Sequence, residues 1–530
     1  MESLSHNVDA LNNVLGFPIL SLAIFLPTFG ALLIWLFIKN ENMVRWSALL
    51  VSVVTFIVTL PLIFSFDRTT SHMQFEEFHN WIPAFNINYQ LGVDGISMPF
   101  IVLTGLLIII CIISAWKCIQ TRVKEYMIAF LILETTLIGV FAALDAILFY
   151  FFWEAMLIPM YLIIGVWGGK NRIYATLKFF LYTLAGSVLM LVALLAMHFK
   201  AGNTFSMLDF MDYPFDMTWQ FWIFIAFFVA FAVKVPMWPV HTWLPDAHTE
   251  APTAGSVILA GILLKMGAYG YLRFSLPMLP DASQYFAPMM IGLSLVAIVY
   301  ISLVAMMQND MKRLIAYSSI AHMGFVTLGT FVFTTQALEG AVINMISHGF
   351  VAAALFLCVG VMYDRLHTRE IGDYGGVANV MPVFAAVMLV FSMANVALPG
   401  SSAFIGEIMV LIGTFAADPS GLVMSAKWIA IAAAISVVLS ACYTLWMYKR
   451  VIMGDLIKDS VKSMPDMSVR EFGIFVPLII LTVWVGFYPA PVLDLLHASV
   501  AHLIDQATTS KLDAAALILE QSTALHAGTH

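Results

Sequence analysis

Six ionisable side chains stand inside long apolar runs of this sequence. They are Glu154, Lys234, Lys265, His322, His348 and Glu407. A charged group at the centre of a bilayer costs roughly 2.5–3.5 kcal/mol, so such residues normally face a bundle interior or a hydrated path. A series of acids, bases and histidines at that depth is suited to passing protons from group to group. The sequence therefore predicts a buried proton relay through these residues.

Each of these residues also has a structural interpretation when it is considered alone. A single intramembrane lysine can be held by one ion pair, and a single histidine on an apolar helix is commonly a hydrogen-bonded core residue. A further lysine, Lys178, lies near the basic end of its apolar run and is interpreted as interfacial. Six groups of alternating acid and base character are harder to explain separately, so a relay is favoured.

A break follows the first lysine of the series. Pro236 and Pro239 remove two backbone donors and free the carbonyl groups of Ala232 and Val235. Lys234 lies between these carbonyls, so the loosened backbone is expected to solvate its ammonium group. Non-helical backbone at membrane depth is tolerated where it is buried in protein or lines a wet cavity. The break is therefore interpreted as a functional feature.

A second break, at Pro399 and Gly400, interrupts an apolar run that is too long for one straight helix. Glu407 follows this break by two turns. The sequence thus places an acid beside the second break, as it places a lysine beside the first.

The overall composition is that of a polytopic membrane protein. Of the 530 residues, 61% are hydrophobic and only 11% are charged, and the mean hydropathy is +0.93. Soluble proteins carry roughly 25% charged residues. The formal net charge of −8 argues against nucleic acid as a partner. The four cysteines lack CxxC spacing, and neither a P-loop nor a dinucleotide glycine fingerprint is present, so no iron–sulfur, ATP or NADH site is predicted in this chain.

The apolar runs predict an all-α polytopic membrane fold with about fourteen transmembrane helices, each needing about 20 apolar residues. The predicted spans are 18–38, 44–66, 96–116, 126–144, 146–167, 175–199, 218–244, 254–276, 285–308, 313–333, 337–361, 382–417, 425–448 and 471–493. Most Lys and Arg residues lie in the loops that join odd to even spans. By the positive-inside rule, both termini should face away from the cytoplasm or mitochondrial matrix.

The two breaks suggest an internal repeat. Spans four to eight (126–276) and nine to thirteen (285–449) would each be a five-helix unit, with the broken helices 7 and 12 fourth in each. Because five is an odd number, the units would be inverted relative to each other, as is common in ion-moving proteins. Residues 1–125 would hold three preceding helices, and residues 450–530 a loop, helix 14 and the C-terminal tail.

A polar cluster in HTWLPDAHTEAP offers a different chemistry. His241, Asp246, His248 and Glu250 are ligand types for the zinc ion of an intramembrane hydrolase. The spacing fits no metal signature, however, and Pro245 is expected to break any helix that would align the side chains. A helix-connecting turn, whose polar groups cap helix ends and orient the path, is therefore favoured.

Four segments resemble the antiporter-like subunits of respiratory complex I and their Mrp antiporter relatives. They are LGVDGISMPF (91–100), WEAMLIPMYLIIGVWGG (153–169), KVPMWPVHTWLPDAHTEAPTAGSVILAGILLKMGAYGYLRF (234–274) and DMKRLIAYSSIAHMGF (310–325). Their order matches that of the family, and the resemblance covers nearly the whole chain. Within the family, a Glu at the helix-twelve site, here Glu407 in LPGSSAFIGE, is similar to the M-type subunits rather than to the L and N types.

The resemblance implies a proton-translocating subunit of NADH–quinone oxidoreductase, a translocase with no redox centre in this chain. FMN, iron–sulfur clusters and quinone would belong to partner subunits, and L-type and N-type subunits would flank this one. It further implies an integral protein of the bacterial inner (plasma) membrane with both termini periplasmic. A Mrp-type cation/proton antiporter subunit remains the alternative, and the metal hydrolase is the alternative from another class.

Within such a subunit the predicted relay residues take different roles. Glu154 and Lys234 would form a switchable ion pair, because the ammonium form of a lysine is favoured beside a carboxylate and disfavoured apart from it at low dielectric. Lys265 would be the central relay, and the two histidines would extend the path to Glu407 as the terminal site.

Overall fold

The structure is a computed structural model that describes residues 16–417 and 425–512. These residues form helices almost throughout, apart from one β-hairpin, short 3₁₀ turns and connections. In chain order the helices are α1 (Ile19–Phe37), α2 (Glu41–Phe64), α3 (Met98–Cys118), α4 (Val123–Ala142), α5 (Ala146–Trp167), α6 (Arg172–Lys200), α7 (Met207–Asp212), α8 (Met217–Lys234), α9 (Trp243–Glu250), α10 (Thr253–Met278), α11 (Pro280–Met306), α12 (Met311–Phe331), α13 (Thr335–Leu366), α14 (Pro382–Asn395), α15 (Ser402–Phe415), α16 (Ala426–Met453), α17 (Asp459–Lys462), α18 (Val469–Phe487) and α19 (Ala490–Thr508).

Thirteen of these helices are long and apolar enough to cross a membrane, in the part of the chain that the structure describes. Each overlaps one predicted span, so the polytopic helical fold is confirmed. The remaining predicted span, 382–417, holds α14 and α15, which are both too short to cross alone. The total of fourteen crossings stays a prediction. So does the side of the membrane on which the termini lie, because residues 1–15 and 513–530 are outside the described range.

Three central helices position the middle of the predicted relay. The apolar stretches of α10 and α13 are completely buried and that of α12 nearly so, whereas most residues of α2 are only partly buried or exposed. Lys265, His322 and His348 lie on these three helices, so the fold places them away from lipid.

Both predicted helix breaks are present, and they share one backbone pattern. Just past the end of α8, the Met237 amide donates to the Ala232 carbonyl oxygen (2.8 Å). Just past the end of α14, the Leu398 amide likewise reaches back five residues to the Met393 carbonyl oxygen (3.1 Å). The Ala232 carbonyl therefore has a backbone partner, so the prediction that the break leaves this carbonyl free is wrong.

The residues that cause the breaks lie where the sequence predicted them. Pro236 and Pro239 separate α8 from α9, and Pro399 and Gly400 separate α14 from α15. Gly400 has a φ of +91°, a conformation that residues with a Cβ rarely adopt. The shared pattern supports an internal repeat, although the bounds and inversion of the two units stay a prediction.

A β-hairpin that sequence reasoning missed joins α2 to α3 and caps α1. Its strands β1 (Gln74–Ile82) and β2 (Ile87–Val93) pair antiparallel. The Glu77 carboxylate accepts hydrogen bonds from the amides of Leu20 (2.8 Å) and Ser21 (3.1 Å), in the first turn of α1. Amides in a first turn have no partner within their own helix, so Glu77 supplies one. Burial raises the pKa of the Glu77 carboxyl, although these hydrogen bonds act in the opposite direction.

Replacing Glu77 with alanine should destabilise the contact between the hairpin and α1 by about 1 kcal/mol, the usual cost of losing a helix cap. Limited proteolysis of membranes measures this as faster cleavage in the hairpin. Asn80→Ala, at an exposed position of β1, is the control and should be cleaved at the wild-type rate. Equal cleavage of the two variants would mean that the cap contributes nothing.

A buried ion pair fixes the far end of α10. Asp94 Oδ1 accepts hydrogen bonds from the Ser97 amide (2.9 Å) and from Arg273 Nη2 (2.7 Å). Both charged side chains are buried, and breaking such a pair by removing one partner typically costs about 3–5 kcal/mol. This pair connects the segment that precedes α3 to the helix that carries Lys265.

Candidate functional site: a buried row of ionisable side chains

Lys265 and His348 meet at the centre of the bundle. Lys265 Nζ lies 2.7 Å from His348 Nδ1, and it also donates to the carbonyl oxygen of Ala260. This carbonyl belongs to a π-helical turn, Leu259–Leu263, and such turns are frequent at functional sites. An ammonium group has only donors, so the bond assigns His348 Nδ1 as the acceptor and Nε2 as the nitrogen that carries hydrogen.

His322 and Glu407 form a second buried pair, between α12 and α15. His322 Nδ1 lies 2.8 Å from Glu407 Oε1. Since a carboxylate can only accept, His322 Nδ1 carries the hydrogen, and Nε2 of the neutral ring has a free lone pair. The Asn344 side-chain amide donates to the His322 carbonyl oxygen (3.4 Å), which joins α13 to α12 beside this pair.

The two histidine rings connect these pairs. Their centroids lie 5.7 Å apart, with an angle of 46° between the ring planes. Both Nε2 atoms are buried and have no hydrogen-bond partner among the residues that the structure describes. Four of the six predicted residues therefore form one row, which we call the central row and which consists of Lys265, His348, His322 and Glu407.

Lys234 and Glu154 are not in contact in this structure. The ion pairs of the described residues do not include one between them. Lys234 Nζ instead lies 5.1 Å from the centre of the Trp153 ring and 3.9 Å from Met156 Sδ. Glu154 is half-buried beside Ser187. A desolvated cation–π contact stabilises by about 2 kcal/mol, so the aromatic ring holds the ammonium group where sequence reasoning placed a carboxylate.

Lys234 nevertheless lies close to the helix of the central row. A Cβ at Gly267 of α10 would lie 2.7 Å from the Val235 nitrogen and 2.9 Å from the Lys234 Cβ. Glycine is therefore required for α10 to approach the end of α8 this closely. Since Lys265 precedes Gly267 by two residues, the middle of α10, which carries Lys265, adjoins the end of α8, which carries Lys234.

The polar cluster that was considered for metal binding is dispersed. Asp246 pairs through its two oxygens with Lys178 (2.8 Å) and Arg313 (2.8 Å). Glu250 Oε2 accepts from the Asn171 amide (2.9 Å) at the start of α6. Within the described ranges, no three His, Cys, Asp or Glu side chains are placed to hold a metal ion. The carboxylates join helices instead.

Sequence reasoning was incomplete in this cluster. The prediction that Pro245 breaks any helix here is wrong, because α9 contains it within its first turn, where proline is tolerated. The contact of Lys178 with Asp246, which joins α6 to α9, leaves no signal in local spacing. His248, considered as a metal ligand and, with more weight, as a polar group of a helix-connecting turn, is fully buried.

Two solved structures share this arrangement of helices. Respiratory complex I from Thermus thermophilus with bound NADH contains a chain that superposes with a TM-score of 0.84, at 29% identity, over 92% of this chain and 99% of that chain. The Mrp complex from Dietzia sp. DQ12-45-1b matches in fold with a TM-score of 0.78, at 20% identity, over 92% of this chain and 55% of that chain. The fold is therefore that of the antiporter-like membrane subunits.

The sequence comparisons agree with the fold. The family model described as NADH:quinone oxidoreductase/Mrp antiporter, TM, matches residues 143–440, and the chain belongs to this family. It is 53% identical to NADH-quinone oxidoreductase subunit M of Rhodobacter capsulatus, over 92% of this chain and 96% of that protein. It is 48% identical to NADH-ubiquinone oxidoreductase chain 4 of Arabidopsis thaliana, over 92% and 97%. The predicted similarity to M-type subunits is thus confirmed.

Proposed function

We propose that this chain translocates protons as a membrane subunit of an NADH–quinone oxidoreductase. The observation that carries the proposal is the central row, a series of four buried ionisable groups, three of which lie on the most deeply buried long helices. Buried charges are costly in a membrane, and a series of them is explained by proton movement better than by packing.

The hydrogen bonds of the central row define a direction for transfer. Lys265 gives a proton to His348 Nδ1 while His348 releases the hydrogen on its Nε2 towards the lone pair of His322 Nε2. His322 in turn releases its Nδ1 hydrogen to Glu407. The net result is one proton moved from the lysine to the carboxylate, with both rings left neutral.

Lys234 and Glu154 supply the switch in this proposal. In the described state the ammonium group rests against Trp153, apart from the carboxylate. A second state in which the two charges meet would favour the protonated lysine, because an opposite charge within about 4–6 Å stabilises the charged form. Alternation between the two states would let Lys234 donate protons to Lys265 nearby and accept protons from it.

The proposal assigns the redox chemistry to partner subunits. FMN, iron–sulfur clusters and quinone would be bound there, and subunits of the L and N types would flank this chain. The chain itself would be an integral protein of a bacterial inner membrane, with both termini on the periplasmic side. The names of the Rhodobacter and Arabidopsis relatives support an oxidoreductase complex as the setting.

Deletion and complementation of this chain in its source cells test the proposal. Inverted membrane vesicles should lose NADH-driven proton uptake and coupled quinone reduction on deletion, and regain both when the chain is restored. Wild-type uptake after deletion, together with a loss of Na⁺/H⁺ exchange that needs no NADH, would instead identify a Mrp-type antiporter subunit.

A further inference from the structure

Glu339 is a buried carboxyl group that the central row does not use. It lies near the start of α13, and only 11% of its side chain is exposed. Its Oε1 atom lies 2.7 Å from Nδ1 of His497 in α19, and the side chain of this histidine is 73% exposed. The pair therefore connects a buried acid directly to a group at the surface of the chain.

This pair lies at the end of the bundle opposite to the basic loops. α13 is long enough to cross a membrane, carries Arg365 in its last turn and is followed by Arg369. These two arginines belong to the loops that the sequence predicts to face the cytoplasm. At a rise of about 1.5 Å per residue, Glu339 lies about 40 Å from that end of the helix. The pair is therefore on the predicted periplasmic side.

Glu339 and Glu407 flank one tight contact between α13 and α15. A Cβ at Gly340 would lie 2.9 Å from the Gly406 carbonyl oxygen and 2.8 Å from the Val410 nitrogen. Glycine is thus needed at residue 340 for the two helices to approach this closely. Glu339 directly precedes Gly340. Glu407 directly follows Gly406, so the two acids are carried by adjoining stretches of α13 and α15.

A hydroxyl group without a partner lies further along α15, towards the start of α13. Thr414 follows Glu407 by seven residues and so lies on the same face of the helix. It is fully buried, and its Oγ1 has no hydrogen-bond partner among the described residues. The Thr334 hydroxyl donates to the Gly413 carbonyl oxygen (3.2 Å), which places this part of α15 beside the start of α13. Because a hydroxyl group both accepts and donates, Thr414 is suited to a proton that leaves Glu407 in this direction.

We propose that Glu339 and His497 release to the periplasm the protons that reach Glu407. This inference rests on the proposed proton-translocating function and adds an exit to its terminal site. The Glu339 carboxylate takes up the proton that the Glu407 carboxylic acid loses, with water or the Thr414 hydroxyl between them. Glu339 then gives this proton to Nδ1 of His497, and the exposed ring loses one proton to water from its second nitrogen. Both carboxylates and the neutral histidine are thereby restored.

The pair is not needed to hold α19 on the bundle. The Ser499 hydroxyl accepts a hydrogen bond from the Gly95 amide (3.0 Å). The buried face of α19 consists of Val492, Leu496, Ser499, Val500, Leu503 and Ala507. Ion pairs with an exposed partner contribute little to stability, so anchoring of the helix does not explain a buried acid at this position.

The test compares Glu339→Gln with Glu339→Asp in the intact complex. Glutamine still accepts a hydrogen bond from His497 but cannot take up a proton, so NADH-driven proton uptake by inverted membrane vesicles should fall by about a hundredfold. Aspartate keeps an ionisable carboxyl group and should retain a much larger part of the uptake. A purely structural contact would instead tolerate glutamine at least as well as aspartate.

The histidine is tested separately. His497→Ala should slow coupled NADH–quinone turnover, and added imidazole should restore it by accepting protons from Glu339. His502→Ala is the matched control, because His502 is exposed on the same helix, and this variant should behave like wild type with or without imidazole.

Wild-type proton uptake by Glu339→Gln, or an equal loss in both Glu339 variants, would overturn the inference. Where a Glu339 variant fails to assemble, His497→Ala decides, since wild-type turnover or the absence of rescue by imidazole would also overturn it. Lys265→Ala, measured beside them, separates these outcomes from failure of the proposed function. If Lys265→Ala stops pumping while Glu339→Gln does not, only the release role is wrong. If Lys265→Ala pumps normally, the central row itself is not the proton path.

Discussion

Replacing Lys234 with alanine should leave the complex assembled but strongly reduce both proton pumping and coupled NADH–quinone turnover. Assembly should survive because the substitution removes only the contact with the Trp153 ring, worth about 2 kcal/mol, and a weak one with Met156 Sδ. Pumping should fall by on the order of a hundredfold, since a positioned proton-transfer group contributes at least that factor. Turnover should fall with it, because in the proposed function the relay and the redox site of the partner subunits share one energy cycle.

Two further variants make this result specific. Lys234→Arg should also be impaired, because a guanidinium group stays protonated at all accessible pH values and cannot release its proton. Lys427→Ala is the control, since this exposed lysine also lies over an aromatic ring, 5.7 Å from the centre of Phe415, but outside the site. Unchanged proton pumping by Lys234→Ala in reconstituted vesicles would count against the relay role.

Replacing Glu407 with glutamine should likewise permit assembly and strongly reduce pumping, by a factor of the same order. Glutamine keeps the shape of the side chain and still accepts the hydrogen bond from His322, but it cannot take up the proton. Glu407→Lys should retain some activity, because either group can carry one exchangeable proton and related subunits are expected to use lysine at this site.

A second buried carboxyl provides the control for this experiment. Glu134 in α4 is fully buried, and neither of its carboxyl oxygens has a partner among the described residues, yet it lies outside the central row. Glu134→Gln should pump like wild type. Proton uptake and NADH–quinone turnover are measured for all three variants in matched membranes. If Glu407→Gln pumps as well as Glu134→Gln, the terminal site is wrong and Glu407 is structural.

The sequence predicted the membrane helices and both breaks because these depend on local composition. A run of about 20 apolar residues is long enough to cross a bilayer. Two nearby prolines, Pro236 and Pro239, or a Pro399–Gly400 pair locally disfavour a continuous helix. The β-hairpin left only a weak signal, because QFEEFHNWI alternates only in part between apolar and polar residues.

Neighbours across helices could not be predicted in the same way. Intramembrane position identified all four residues of the central row, but the order in which they touch depends on how α10, α12, α13 and α15 pack. The contact of Lys234 with Trp153 and the stacking of His248 on Phe356 also arise from packing between helices. Spacing along one helix holds no information about the partner that a side chain finds on another.

The deep burial of the helices at the centre has a consequence for how the chain reaches the bilayer. α10 and α12 are the least apolar of the thirteen long helices, because they carry lysine, histidine, serine and threonine where the others carry leucine and isoleucine. Such a segment partitions poorly from the insertion machinery into lipid when it is alone. We therefore expect the insertion of such a segment to require helices that have already entered the membrane, such as α3 and α4. The polar groups that are suited to proton transfer are thus the same groups that make the insertion of α10 and α12 depend on other helices.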